Sequence, residues 1–173
     1  MLVQRSLGYD DAMRVITTTV EDARRKNWRI AVVVVDRTGE LIACARMDGR
    51  APRFVKAAHR KAYTAAIFEM DTSGLIKFWD RQAQEGHRGP ADWNDPMLTT
   101  LPGGICVVHE GKVVGAVAVA GGGGKPGDGT TDWELAEIAF QALVPGFTHS
   151  PVMHQDKPAY IDAVTQQAAS AGV

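Results

Sequence analysis

The chain has too few cysteines for a disulfide framework, no excess of charge of either sign and no apolar run long enough to cross a bilayer. Cys44 and Cys106 are the only two cysteines in 173 residues, and each sits in an apolar run that reads as a strand. They are expected to be buried free thiols in a reducing compartment. Lys and Arg number 19 against 20 Asp and Glu, so no global field draws the protein onto a phosphate backbone, and nucleic acid is not an expected partner. A basic stretch at residues 50–61, with Arg53, Lys56 and Arg60, reads either as a local attractor for a small anion or as a solvated helix face. The longest aliphatic run, residues 30–35, is far short of the roughly 20 residues that span a membrane, and the first eleven residues carry no apolar segment of the secretory kind. A cytoplasmic protein that does not engage membranes is expected.

What is present is the material of one globular unit. Apolar residues make up 45% and charged residues 23% of the chain, enough to bury a core without staples. Asp10 is placed to cap a helix reaching about residue 26, with Ala12, Val15, Ile16, Val20 and Ala23 at helical spacing. Residues 30–35 and 40–46 flank the turn formed by Asp36, Arg37, Thr38 and Gly39 and predict a hairpin. Pro52 suits the first turn of an alanine-rich helix to about residue 68, and a shorter helix follows over 71–84. The polar, Gly- and Pro-containing stretch 84–97 reads as a long loop. A second hairpin is predicted from 105–109 and 112–120, then a glycine-rich break at 121–129 and a helix from Thr131 or Asp132 to about residue 143. A weak helical stretch starts near Pro158. Hairpins separated by helices argue for an antiparallel sheet packed on helices.

Several segments in order carry a resemblance: VVVDRTGEL at 33–41, RMDG at 46–49, KAYTAA at 61–66, LPGG at 101–104 and GKVVGA at 111–116. Together they resemble the haem-binding GlcG/HbpS-like family, which includes the C-terminal domain of PduO-type corrinoid adenosyltransferases. The likeness spans about residues 7–143. It implies an α+β, profilin-like three-layer sandwich with a five-stranded antiparallel sheet flanked by helices, and a homo-oligomer. It further implies a domain over 1–145, with 146–173 an extension packing on that domain or on a neighbouring subunit. The sequence departs from the family pattern in the 84–97 loop, in the insertion within the glycine-rich segment and in the extension.

Six residues are candidates for a ligand site. His59 shares a helical face with Val55, Ala62 and Ala66, where an imidazole can ligate haem iron, move a proton or simply pack. Arg46 and Asp48 end a strand where Gly49 breaks it; Arg46 can fork onto a carboxylate or haem propionate, or pair locally. Lys61 matches the family's lysine and would neutralise an anionic ligand or snorkel to solvent. Gly103 and Gly104 would let backbone amides approach a ligand, or serve only as a strand entry. Gly121 to Gly124 match neither phosphate-loop pattern. The remaining histidines, His87, His109, His149 and His154, show no zinc spacing, and no G-x-S-x-G is present.

Two functions compete. One is a small-ligand-binding protein, with haem or another anionic molecule as ligand, accessory to a catabolic pathway. The alternative is an isomerase, tautomerase or lyase acting on a carboxylated intermediate, with Arg46 and Lys61 as anchors, His59 as proton shuttle and amides near Gly103 and Gly104 stabilising an enolate-like charge.

Overall fold

A computed structural model describes residues 4–143 and 145–150 of the chain. It opens with helix α1, Tyr9–Arg25, followed by the hairpin β1, Ala31–Asp36, and β2, Leu41–Arg46. Helices α2, Arg53–Ile67, and α3, Thr72–Gln84, come next, and a short 3-10 helix occupies Gly89–Trp93 within the expected loop. The second hairpin is β3, Gly104–His109, and β4, Lys112–Ala120; α4, Asp132–Gln141, and β5, Phe147–His149, complete the order. The expected helix near Pro158 lies outside the described residues.

Every strand pairing is antiparallel and the sheet order is β2-β1-β4-β3-β5. Local chemistry explains the turns. Asp36 Oδ1 accepts from the backbone amides of Thr38 (2.7 Å) and Glu40 (3.0 Å), and Gly39 takes the left-handed φ of 84° that closes the turn. At the N-terminus of α1 the cap is Gly8 rather than the expected Asp10. The Gly8 amide donates to Asp11 Oδ2 at 3.2 Å, so the acid acts from inside the first turn. Thr131 caps α4 as expected, in a reciprocal arrangement with Glu134.

The sheet separates two apolar layers by strand alternation. On one face Val32, Val34, Ile105, Val107, Val117 and Val119 pack against α1 and α4. On the other, Val33, Val35, Cys106 and the small residues Ala116, Ala118 and Ala120 receive Ala58, Ala62, Ala65 and Ala66 of α2. Alanine facing alanine lets this helix lie close to the middle of the sheet. As a result α2 covers the edge strand β2 only in part: Leu41 is 47% exposed and Cys44 is exposed. The expectation that both cysteines are buried is therefore corrected for Cys44, because an apolar run on an edge strand has a helix over neither all of its length nor both of its faces. Cys106, on the central side, is buried.

Among the described residues no helix is long and apolar enough to cross a membrane.

Candidate functional site

The candidate residues fall in two places. The first is the open strip beside β2. Cys44 is opposite Val33 and Arg46 is opposite Ala31, so both share the sheet face on which α2 lies. Tyr63 of α2 packs over Gly39, where an added Cβ would come within 2.6 Å of its ring. Its hydroxyl donates to Asp95 Oδ2 at 2.8 Å, and this bond, with lesser help from burial, raises the phenol's pKa. His59 precedes Tyr63 by one helical turn and so faces the same β2 side of α2. The His59 ring is half-buried, and among the described residues no hydrogen bond reaches it. Arg46 lies at the end of the strip, with its Nη1 donating to the Arg50 carbonyl.

Around the edge of the sheet from Arg46 is a cleft of about 360 Å³ lined by Val20, Arg24, Arg29, Ala45, Arg46, Met47 and Asp48. Three guanidinium groups and one carboxylate over an apolar floor suit a small molecule bearing an anionic group. Arg46 and Asp48 are therefore brought together as expected from the strand ending, and Arg24 and Arg29 join them. Sequence reasoning missed these two because α1 and the segment leading into β1 meet the end of β2 only in the fold.

The second place is a buried junction between α2, α4 and the start of β3. Lys61 is only 2% exposed. Its ammonium donates to Asp132 Oδ2 at 2.5 Å and to the Val119 carbonyl at 3.1 Å. Burial lowers the lysine pKa and the neighbouring carboxylate opposes that shift. Asp132 Oδ1 in turn accepts from the Gly122 amide at 2.6 Å, which ties the glycine-rich segment to the same junction. Gly103 and Gly104 lie here too. A Cβ on Gly104 would meet the Lys61 carbonyl oxygen at 2.5 Å, and its amide donates to Thr72 Oγ1 at 3.0 Å. A Cβ on Gly103 would come within 2.9 Å of Asp132 Cβ. Both glycines thus permit helices to crowd the sheet, and Lys61 already has its counter-charge.

A further cluster was invisible in the sequence. His149 of β5 places Nδ1 3.1 Å from Asp71 Oδ2 and Nε2 3.3 Å from Glu137 Oε1. Asp71 is wholly buried and also accepts from the Cys106 amide at 2.6 Å. Burial alone would lower the imidazole's pKa, but the two carboxylates outweigh it and raise it to about 9. No local spacing links residues 71, 137 and 149.

Comparison with known proteins agrees with this architecture. Residues 7–131 match the model of a family described as haem degrading protein, HbpS-like. The chain belongs to the HbpS-like family. Within that family's wider kin, it is 36% identical over 114 residues to protein GlcG of Escherichia coli K12, an alignment covering 66% of this chain and 81% of GlcG. A crystal structure of a double mutant of HbpS from Streptomyces reticuli superposes with a TM-score of 0.70 at 30% identity, covering 83% of this chain and 91% of that one. A crystal structure of a PduOC–haem complex gives a TM-score of 0.66 at 23% identity, covering 80% and 95%, and so agrees in fold. The α+β sandwich with five antiparallel strands is the architecture shared with the HbpS structures.

Proposed function

We propose that this HbpS-like protein binds haem, or another flat ligand with anionic arms, on the strip between α2 and β2. The observation that carries the reading is that Cys44 and Arg46 lie on the face of β2 turned toward α2, while His59 lies one helical turn before Tyr63, the residue of α2 that packs over the β1–β2 turn. The donor set suits the group: an imidazole with no hydrogen bond among the described residues, an exposed thiol and a guanidinium. Among the described residues no cluster of three His, Cys, Asp or Glu could hold a bare metal ion, so a single protein ligand to an iron already held in a macrocycle is the chemistry these residues can offer. His59 is the iron ligand in this reading. Arg46 pairs with a propionate, and Arg24 and Arg29 extend the cationic surface around the edge. Haem would supply redox and ligand-binding chemistry. The chain's own residues supply capture and orientation.

Association of two copies over the β2 edge would screen this strip from water, and the half-exposed Leu41 supports such a homo-oligomer. An accessory role beside catabolic enzymes belongs to the same proposal and rests on the family likeness. The alternative of an isomerase, tautomerase or lyase draws support from the arginine cleft. Against it, the amides of Gly103 and Gly104 are enclosed by helices, so the anchor and the charge-stabilising donors that turnover requires do not converge.

Haem titration of the purified protein, followed in the visible, tests the reading. The expected result is a saturable Soret shift that His59→Ala abolishes and Arg46→Ala weakens. Equal binding by His59→Ala and wild type would remove His59 as ligand; a spectrum identical to that of free haem would remove the haem reading.

A further inference from the structure

Past Ser150 the chain leaves the described residues, and it does so beside an aromatic hollow. The Ser150 hydroxyl donates to the Glu69 carbonyl at 2.7 Å, and Glu69 directly follows Phe68 at the end of α2. Phe68 meets Trp79 and Trp93 edge-on, with ring centroids 5.1 and 5.2 Å apart. Those two indoles and Phe78 stand on the walls of a hollow of about 480 Å³ between α3 and the 3-10 helix. Among the described residues its outer side has no cover: Trp93 is 60% exposed, and Ile67, the other chain neighbour of Phe68, is 44% exposed. Large apolar side chains left in that state gain most from being covered.

Residues 151–173 continue from that point, and their composition is not that of a spacer. They include a single glycine, Gly172, and carry Val152, Met153, Tyr160, Ile161 and Val164. Tyr160, Ile161 and Val164 recur at helical spacing just after Pro158. Reach is sufficient, since Met153 can lie up to about 10 Å from Ser150 and Tyr160 up to about 33 Å. A segment tethered this close holds a local concentration in about the millimolar range, which sets it ahead of a second copy or a free partner. Methionine sulfur against an aromatic ring is itself a favourable contact.

We propose that residues 151–164 fold back over the hollow of their own chain, with Met153 against the exposed Trp93 ring and Tyr160 and Ile161 further along the same cover. The extension then completes the apolar packing that α3 and the 3-10 helix begin. This docking surface stands apart from the haem strip and does not depend on haem binding.

Hydrogen exchange on the full-length chain, read by mass spectrometry, tests the proposal. Amides of residues 152–161 are expected to exchange about tenfold or more slowly than in a free peptide of the same sequence. Met153→Ser, which leaves the walls of the hollow intact, and Trp93→Ser should each return them toward the free rate. Tyr9→Ser, at a position 66% exposed at the start of α1, should leave them unchanged. Exchange at the free-peptide rate would overturn the proposal, and so would protection that survives either Met153→Ser or Trp93→Ser, because the extension would then dock elsewhere. A cysteine pair identifies whose hollow is covered. With Cys44→Ser as background, His87→Cys on the wall of the hollow and His154→Cys beside Met153 should form a disulfide within one chain under mild oxidation. Failure to cross-link, or cross-linking only between chains, would overturn a cover supplied by the same chain.

Discussion

The two edges of the sheet are finished in opposite ways. At the β2 edge, Leu41, Cys44 and Arg46 are left to solvent beside the half-buried His59. At the β5 edge, His149 closes the sheet by holding Asp71 ahead of α3 and Glu137 of α4 at once, and its ring lies 4.0 Å from that of Phe140. Both edges carry a histidine, yet one imidazole is fully engaged and the other has no hydrogen bond among the described residues. The difference teaches that a histidine's role follows from what its surroundings have already satisfied: His149 belongs to stability, and His59 is the one with capacity to spare for a ligand.

The sharpest way to break this contrast is to exchange each histidine for alanine. His149→Ala strands the Asp71 carboxylate in a buried site and should cost about 3–5 kcal/mol of stability, measured by urea unfolding. His59→Ala should stay within about 1 kcal/mol of wild type in the same experiment. Equal losses at the two positions would erase the distinction.

Titration probes the closed edge alone. Because the folded pKa of His149 lies near 9, above the ordinary value of about 6.5 for an unfolded histidine, its contribution is complete below about pH 6.5 and is lost as pH rises through about 9. That contribution is on the order of 3 kcal/mol. Unfolding midpoints measured from pH 6 to 10 should fall over this window in the wild type and stay flatter in His149→Asn. A midpoint that rises with pH would contradict the pairing.

The smallest effect is chemical. Cys44 at the open edge should react with a thiol reagent in the native protein, whereas Cys106 is enclosed, and burial, reinforced by Asp71, pushes its pKa up. One thiol per chain is expected to react before denaturant and two after it. Native reaction of both would mean that the central strand opens readily.

Much of the fold was legible because periodicity and turn chemistry act locally. The 30–35 run, the Asp36 to Gly39 turn and the Thr131 cap each carry their structure in adjacent residues, and α2 could be read from its alanines. β5 could not, since three residues after Pro145 and Gly146 show no alternation and become a strand only by pairing with β3. The exposure of Cys44 was hidden for a related reason: an apolar run does not say whether its strand lies at the centre or at the rim. In the candidate site, Arg46 and Asp48 were readable from the end of their strand. Lys61 was not, because a lysine on an alanine-rich helix looks the same in sequence whether it reaches water or a buried Asp132. His149 owes its role to partners far away along the chain, and that leaves no mark on local spacing.

The contact between His149 and Asp71 joins residues 78 positions apart, and that separation imposes an order on biosynthesis. As the polypeptide leaves the ribosome, α2, α3 and the second hairpin all emerge while the counter-charge for Asp71 is still untranslated. Until residue 149 arrives, β3 is a bare rim beside a carboxylate that cannot be buried at ease, and a nascent chain in that state is open to mispairing with its neighbours. β5, the last strand among the described residues, is therefore the one that brings Asp71 its partner.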